Sequence, residues 1–199
     1  MSTVEPSPPP HGRIRGYVVA GGRSSRMGRD KAFLPWNGIT LLDHAIHTLR
    51  AATSDVAILC GPARRYEDFG VPVVVDEICG AGPIGGLYSA LTHAASSGRD
   101  RMVWLAVDTP HVSSALLREL AQALDEADVA MARTDRGVEP LCAAFRVEPC
   151  LGSVRRAIIE RRLKLTDAFA SLSAAHVDAP PGSLLNLNSP ADLEQAQAD

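Results

Sequence analysis

The sequence predicts an α/β protein whose core is a doubly wound, mostly parallel sheet, with a mixed or antiparallel edge in its C-terminal part. Short apolar runs rich in β-branched residues alternate with segments that repeat apolar residues at helical spacing. The runs lack strict alternation of apolar and polar residues, which is typical of strands covered on both faces. Helices on both sides of a parallel sheet follow from these two observations.

The predicted strands and helices alternate along the first two thirds of the chain. Five apolar runs are the expected strands, at residues 14–20, 56–60, 71–75, 102–107 and 128–132. Three stretches between them carry an apolar helical face, at residues 41–49, 84–94 and 116–124. Thr40 and Asp43 are set as a capping box for the first helix, and Ser113 and Ser114 precede the third.

The alternation weakens after about Asp135, and we expect edge or return elements there. The run 137–146 is extended but is interrupted by Pro140, and a further helix follows it. The last helix opens in the stretch NSPADLEQ, where Ser189 can cap it and Pro190 takes its first position.

Length and composition favour a single domain, which we expect over residues 14–199, after a disordered tail over residues 1–13 that is rich in proline. The net charge of −3 provides no basic surface, which argues against a nucleic-acid partner. No apolar run approaches the roughly 18 residues of a membrane span, and the start lacks the apolar segment of a signal peptide. We therefore expect a cytoplasmic protein that binds no membrane.

The loop over residues 20–31 leaves the carboxyl end of the first predicted strand, where ligands of open α/β sheets bind. Gly21 and Gly22 would let the backbone approach a ligand and adopt positive φ, and Arg26 and Lys31 would add charge for phosphate oxygens. Lys31 is one of only two lysines in the chain, which suggests a need for a compact point charge. The loop contains neither the dinucleotide fingerprint nor a P-loop, so an ordinary solvated turn is the alternative.

The loop sequence AGGRSSRMGRDK closely resembles the signature A-G-G-x-S-x-R-M-G-x-D-K of the molybdenum-cofactor guanylyltransferases. Four more stretches match that family in order, namely VVVDEICGAGPIGGLYSAL, LAVDTP, VEPLCAAFR and NLNSPADL. The resemblance covers nearly everything after residue 13 and implies the Rossmann-like sheet of the nucleotidyltransferases. It also implies the reaction: transfer of GMP from Mg-GTP to molybdopterin, with release of pyrophosphate.

The resemblance assigns roles to individual residues. Asp108, at the end of the strand predicted at 102–107, would bind Mg²⁺, with Mn²⁺ as an alternative, because hard cations prefer carboxylate oxygen. Lys31 and Arg26 would hold the triphosphate and the leaving pyrophosphate, so these two and Asp108 are the expected catalytic residues. The nucleotide would contact Val19, Ala20, Gly21, Gly22, Lys31, Asp76, Gly82, Pro83 and Asp108.

Two further assignments concern the substrates. Asp76 resembles a guanosine-contacting aspartate, and the glycines of the two nucleotide segments favour guanine over cytosine. Asn186 and Asn188 lie where the family is thought to receive the pterin, although asparagine is also common in turns before a helix. Gly61 stands near the position where many family members carry an asparagine, so any contact of that amide is absent or replaced.

Other functions stay open at the level of sequence. One keeps the chemistry but changes the substrates, to CTP and molybdopterin or to a nucleotide and a sugar or polyol phosphate. Another is a non-catalytic nucleotide-binding protein that delivers the cofactor. Under the main hypothesis the partners are GTP, molybdopterin and, transiently, molybdoenzymes or other cofactor-synthesis proteins.

Overall fold

The computed structural model describes residues 14–21, 30–188, 192–194 and 196. The predicted tail over residues 1–13 lies outside the described residues. So do Gly22 and Arg26 of the loop, and Ser189 and Pro190 at the start of the last helix.

Seven strands of the described residues form one sheet: β1 Arg15–Val19, β4 Asp55–Leu59, β5 Val73–Val74, β6 Arg101–Ala106, β7 Val129–Thr134, β8 Gly137–Arg146 and β9 Ala174–Asp178. Their order across the sheet is β5-β4-β1-β6-β8-β7-β9. Two short strands, β2 (Pro35–Trp36) and β3 (Ile39–Thr40), form a separate hairpin. Its two-residue turn is Asn37-Gly38 with φ of 49° and 85°, the positive angles that such a tight hairpin requires.

Helices cover both faces of the sheet, as the sequence predicts. They are α1 Leu41–Arg50, α2 Pro83–Ser96, α3 Ser114–Ala123, α4 Val147–Ile159 and α5 Leu165–Phe169. The apolar faces of α1 and α3 belong to one hydrophobic core, and those of α2, α4 and α5 belong to the other. The expected capping box between Thr40 and Asp43 is present at the start of α1, and Ser113 caps α3.

Alternate residues of the central strands point into opposite cores. In β1, Tyr17 packs on the side of α2 and Val18 on the side of α1, and both side chains are fully buried. In β6, Trp104 and Leu105 divide in the same way. Burial on both faces explains why these strands read as continuous apolar runs rather than as alternating ones.

The C-terminal part of the sheet is mixed, as expected, but its antiparallel strand lies inside the sheet rather than at an edge. β8 pairs antiparallel with both β6 and β7, and β9 then adds parallel to β7. Only two residues, 135–136, connect β7 to β8, so the two strands must form a hairpin. The sequence predicts an interruption of the strand at Pro140. In the structure β8 continues through Pro140, and the pairing of β7 with β8 shifts register there. Such a bulge accommodates a residue that has no N–H to donate.

The carboxyl ends of β5, β4, β1 and β6 meet at one edge of the sheet. Backbone hydrogen bonds continue past the strands there, from Asp76 N–H to the Gly61 carbonyl at 2.9 Å and from Val107 N–H to the Val19 carbonyl at 3.1 Å. Residues 76, 61, 20 and 107 therefore stand side by side in that order. No described helix is both long and apolar enough to cross a membrane.

Candidate active site

The Lys31 ammonium lies against the Asp108 carboxylate at the carboxyl edge of the sheet. Lys31 Nζ is 2.8 Å from Asp108 Oδ2, and the two side chains are 16% and 22% exposed. Lys31 begins a single 3-10 turn, which the Asp30 carboxylate caps by accepting from the Ala32 N–H. Asp108 follows the end of β6 by two residues. Both charges are therefore held on anchored backbone and remain reachable from solvent.

Asn188 joins this pair from the far end of the chain. Lys31 Nζ donates to Asn188 Oδ1 at 3.1 Å. The Leu187 N–H donates to the Asp108 carbonyl at 2.9 Å, and the buried Leu187 side chain anchors the segment in the core. Asn186 is exposed and contributes a backbone carbonyl 3.4 Å from Asn188 Nδ2. The structure thus brings Asn188, and not Asn186, onto the lysine.

A second polar cluster surrounds Asp30 and was not found from the sequence. Asp30 Oδ2 accepts from the Tyr66 hydroxyl at 2.7 Å and from Arg65 Nη1 at 2.9 Å. Both residues lie on the segment after β4. This segment contains Gly61, near the position where many members of the resembled family carry an asparagine. Tyr66 has φ 68°, a left-handed conformation that no local pattern signals. An arginine beside a tyrosine in a loop carries no periodicity, so only the fold reveals the cluster.

Gly21 leaves room for the neighbouring backbone at Gly61. A Cβ added there would lie 2.5 Å from the Gly61 nitrogen and 2.7 Å from its Cα, closer than any side chain tolerates. The φ of Gly21 is outside the left-handed region, so the expectation of a positive φ at this glycine is wrong. Gly61 itself has φ 77°. The two glycines let the ends of β1 and β4 approach each other.

Asp76 lies at the opposite end of the same edge. Its side chain is half-buried, and burial raises the pKa of its carboxyl. It faces the start of α2, where a Cβ at Gly86 would lie 3.6 Å from Asp76 Oδ1. Gly82 precedes α2 with φ 68°, and Pro83 takes its first position. The Asp76 carboxylate thus lies beside the first turn of α2, which Gly82 and Pro83 begin.

The two aspartates cannot share a metal ion. Three strand spacings separate β5 from β6, and at about 4.8 Å each they place Asp76 and Asp108 roughly 14 Å apart. The described residues include no cluster of three or more His, Cys, Asp or Glu side chains that could hold a metal. The single Asp108 carboxylate fits a Mg²⁺ ion that is held mainly by substrate phosphates and water, and it does not fit an all-protein cage.

The family model of the MobA-like NTP transferase domain matches residues 16–176. A relative from Opitutus terrae, named a probable molybdenum cofactor guanylyltransferase, is 37% identical over 144 residues, which are 72% of this chain and 71% of the relative.

Two solved structures share the fold. The molybdopterin-guanine dinucleotide biosynthesis protein A from Archaeoglobus fulgidus has a TM-score of 0.74 at 22% identity, covering 92% of this chain and 97% of that one. A Mycobacterium tuberculosis protein crystallised as a complex with manganese has a TM-score of 0.65 at 20% identity, covering 94% and 99%.

Proposed function

Because the chain belongs to the MobA-like NTP transferase family, we propose that it transfers GMP from GTP to molybdopterin and releases pyrophosphate. The observation that carries this proposal is the meeting of Lys31, Asp108 and Asn188 at the carboxyl ends of parallel strands. These residues come from three separate stretches that resemble the guanylyltransferase signature. The name of the Opitutus terrae relative supports the same substrates.

The reaction needs charge neutralisation more than it needs a base. A phosphate oxygen of molybdopterin forms a bond to the α-phosphorus of GTP, and the bond from that phosphorus to the bridging oxygen of the β-phosphate breaks. A phosphate monoester has a second pKa of about 6, so the nucleophile is already an anion at neutral pH. Catalysis of such a transfer consists of positioning and of stabilising negative oxygens.

Lys31 and Asp108 supply these two requirements. In the free protein each neutralises the other at 2.8 Å. When the triphosphate is bound, Lys31 would turn to its oxygens and stabilise the charge that develops on the leaving pyrophosphate. Asp108 would then hold Mg²⁺ or Mn²⁺, which screens the phosphate charges when bound. The manganese complex of the Mycobacterium tuberculosis structure is in keeping with a divalent ion at this fold.

The remaining nucleotide contacts extend from β1 to α2. Val19, Ala20 and Gly21 would approach the nucleotide through their backbone. Gly22, for which we propose the same contact, and Arg26, whose charge would hold the triphosphate, lie outside the described residues. Asp76 would accept from the N–H groups of the guanine edge. Its half-buried carboxylate lies beside Gly86 in the first turn of α2, the helix that follows Gly82 and Pro83.

The pterin would enter on the side of the C-terminal segment. Asn188 already contacts Lys31, so an acceptor phosphate bound there would lie next to the ammonium. Asn186, two residues earlier and exposed, would contact a more distant part of the pterin. We propose that the reaction takes place in the cytoplasm, where GTP is available, and that its product passes to the molybdoenzymes or other proteins that use it.

One experiment tests both the activity and the base. Purified protein with Mg²⁺ and molybdopterin is given GTP, CTP or ATP in parallel, and pyrophosphate release is measured. GTP should be preferred, chelation of the metal should stop release, and Asp108→Ala should abolish it while circular dichroism and thermal melting show an intact fold. Preference for CTP would refute the base assignment, and full turnover by Asp108→Ala would refute the mechanism.

A further inference from the structure

Asp30 is a natural competitor for the Lys31 ammonium, because it is the preceding residue in the chain. Opposite charges this close attract one another strongly wherever water is partly excluded. Pairing with Asp30 would turn the ammonium back onto its own loop. Lys31 instead donates to Asp108 at 2.8 Å and to Asn188 at 3.1 Å. Something in the structure must therefore satisfy Asp30.

Other donors occupy both oxygens of the Asp30 carboxylate. Its Oδ1 accepts from the Ala32 N–H at 3.1 Å. Its Oδ2 accepts from the Tyr66 hydroxyl at 2.7 Å and from the Arg65 guanidinium at 2.9 Å. A charge-assisted bond from arginine is among the stronger hydrogen bonds in proteins. The negative charge of Asp30 is thus compensated by a residue other than Lys31.

Arg65 is fixed by a second contact on the sheet. Its Nη2 donates to the Cys60 carbonyl at 3.0 Å, directly after β4, and its guanidinium carbon lies 5.0 Å from the centre of the Tyr66 ring. The Arg65 side chain is 38% exposed, so these polar partners act together with the burial of the rest of the side chain to fix its position. The bond to Cys60 ties the Asp30 cluster to a core strand.

Tyr66 is fixed by packing. The residue is 6% exposed, and its ring lies 5.7 Å from that of Phe33 and 6.2 Å from that of Phe69, measured between centroids. A hydroxyl has one proton to donate. The 2.7 Å contact with Asp30 takes that proton, so the 3.3 Å approach to the Ala20 carbonyl is the weaker one. Burial, and next the Asp30 carboxylate, raise the pKa of Tyr66, so the phenol keeps its proton.

We propose that Arg65 and Tyr66 are positioning residues, which hold the Asp30 carboxylate and thereby keep the Lys31 ammonium on Asp108. In the proposed reaction this leaves the lysine charge where the phosphates of the nucleotide arrive. The inference rests on the proposed function only for the identity of those phosphates. The pairing of Lys31 in the free protein is independent of it.

Lysine-selective ¹³C and ¹⁵N labelling tests the pairing without any substrate. Lys31 and Lys164 are the only lysines, so the labelled protein gives two side-chain signals, and Lys164→Arg assigns them. With Arg65 and Tyr66 intact, Asp108→Asn should shift the Lys31 signal at least threefold more than Asp30→Asn does. In the Arg65→Met, Tyr66→Phe variant this order should reverse, because the freed Asp30 takes the ammonium.

Two choices keep this experiment interpretable. Tyr66→Phe alone retains the ring packing and should show the same change at reduced strength if the double variant unfolds. The matched control, Arg64→Met with Tyr88→Phe, removes an exposed arginine and a tyrosine hydroxyl elsewhere, and it should leave the wild-type order unchanged. An unchanged order in the Tyr66→Phe and double variants, or the same reversal in the control, would overturn the proposal.

Kinetics supply a second test. Loss of Arg65 and Tyr66 should lower kcat about tenfold, and adding Asp30→Asn should restore kcat to within about threefold, because the competing charge is then gone. If Asp30, Arg65 and Tyr66 were only a structural cluster, removing the third member would lower kcat further. Inactivity of the wild type with GTP and molybdopterin would refute the proposed function. The labelling experiment alone would then test this inference.

Discussion

Gly21→Ala isolates the backbone contact between the ends of β1 and β4. The new Cβ would lie 2.5 Å from the Gly61 nitrogen and 2.7 Å from its Cα, and both are backbone atoms that cannot rotate away. Because the φ of Gly21 is outside the left-handed region, alanine can adopt the backbone conformation, and the cost is steric alone. Overpacking of this kind costs about 1–3 kcal/mol, and the reduced entropy of the unfolded chain returns about 0.4–1 kcal/mol.

With the middle of each range, the net loss is about 1.3 kcal/mol. It should lower the Tm of a chain of this size by about 3–5 °C. Thermal unfolding followed by circular dichroism measures the shift. Gly152→Ala is the matched control, because no atom lies within 4 Å of its added Cβ. It lies inside α4, so alanine should stabilise the helix by up to about 1 kcal/mol and raise the Tm. If Gly21→Ala melts at the wild-type temperature and only weakens nucleotide binding, Gly21 serves the ligand and our reasoning about Gly61 is wrong.

Three further predictions concern the substrates and pH. Asp76→Asn should lower kcat/KM for GTP about 10- to 100-fold and reduce the preference for GTP over CTP. Competition assays with the two nucleotides measure both effects. Unchanged selectivity would exclude Asp76 from base recognition. Asn188→Ala should raise KM for molybdopterin about 2- to 10-fold, whereas a change confined to KM for GTP would contradict this placement. Burial, and next the Arg15 charge, lower the pKa of His93. The unfolded chain therefore takes up the proton first, and the free energy of unfolding should decline as the pH falls below about 6.5. His93→Gln should flatten that decline in melting curves recorded across this pH range.

The sequence predicted the strands and helices well where periodicity is local. β1, β4, β6 and the helices α1 to α3 lie where the apolar patterns place them, and the Thr40–Asp43 capping box is confirmed. The run 71–75 pairs only at Val73–Val74, because β5 is an edge strand that follows Pro72, which has no N–H to donate. The prediction of the family, and with it the fold, is confirmed.

For the candidate site too, the sequence indicates which residues take part but not how they contact one another. Lys31, Asp108 and Asn188 stand in stretches that resemble the family signature, so each is visible in the sequence alone. Their contacts are not, because they depend on which strand ends adjoin. The contacts of Arg65 and Tyr66 with Asp30 have no sequence signal at all, since they arise from a left-handed residue in a loop and from a carboxylate 35 residues before Arg65.

By itself the sequence determined the order of strands and helices, the family, and the residues that carry charge at the strand ends, because these follow from local spacing and from motifs. The tertiary structure decided how the charges are paired. Placing β1 between β4 and β6 brings Asp30 to Arg65 and Lys31 to Asp108. Strand order is set by packing across the whole sheet, so no local pattern could have specified which aspartate holds the lysine.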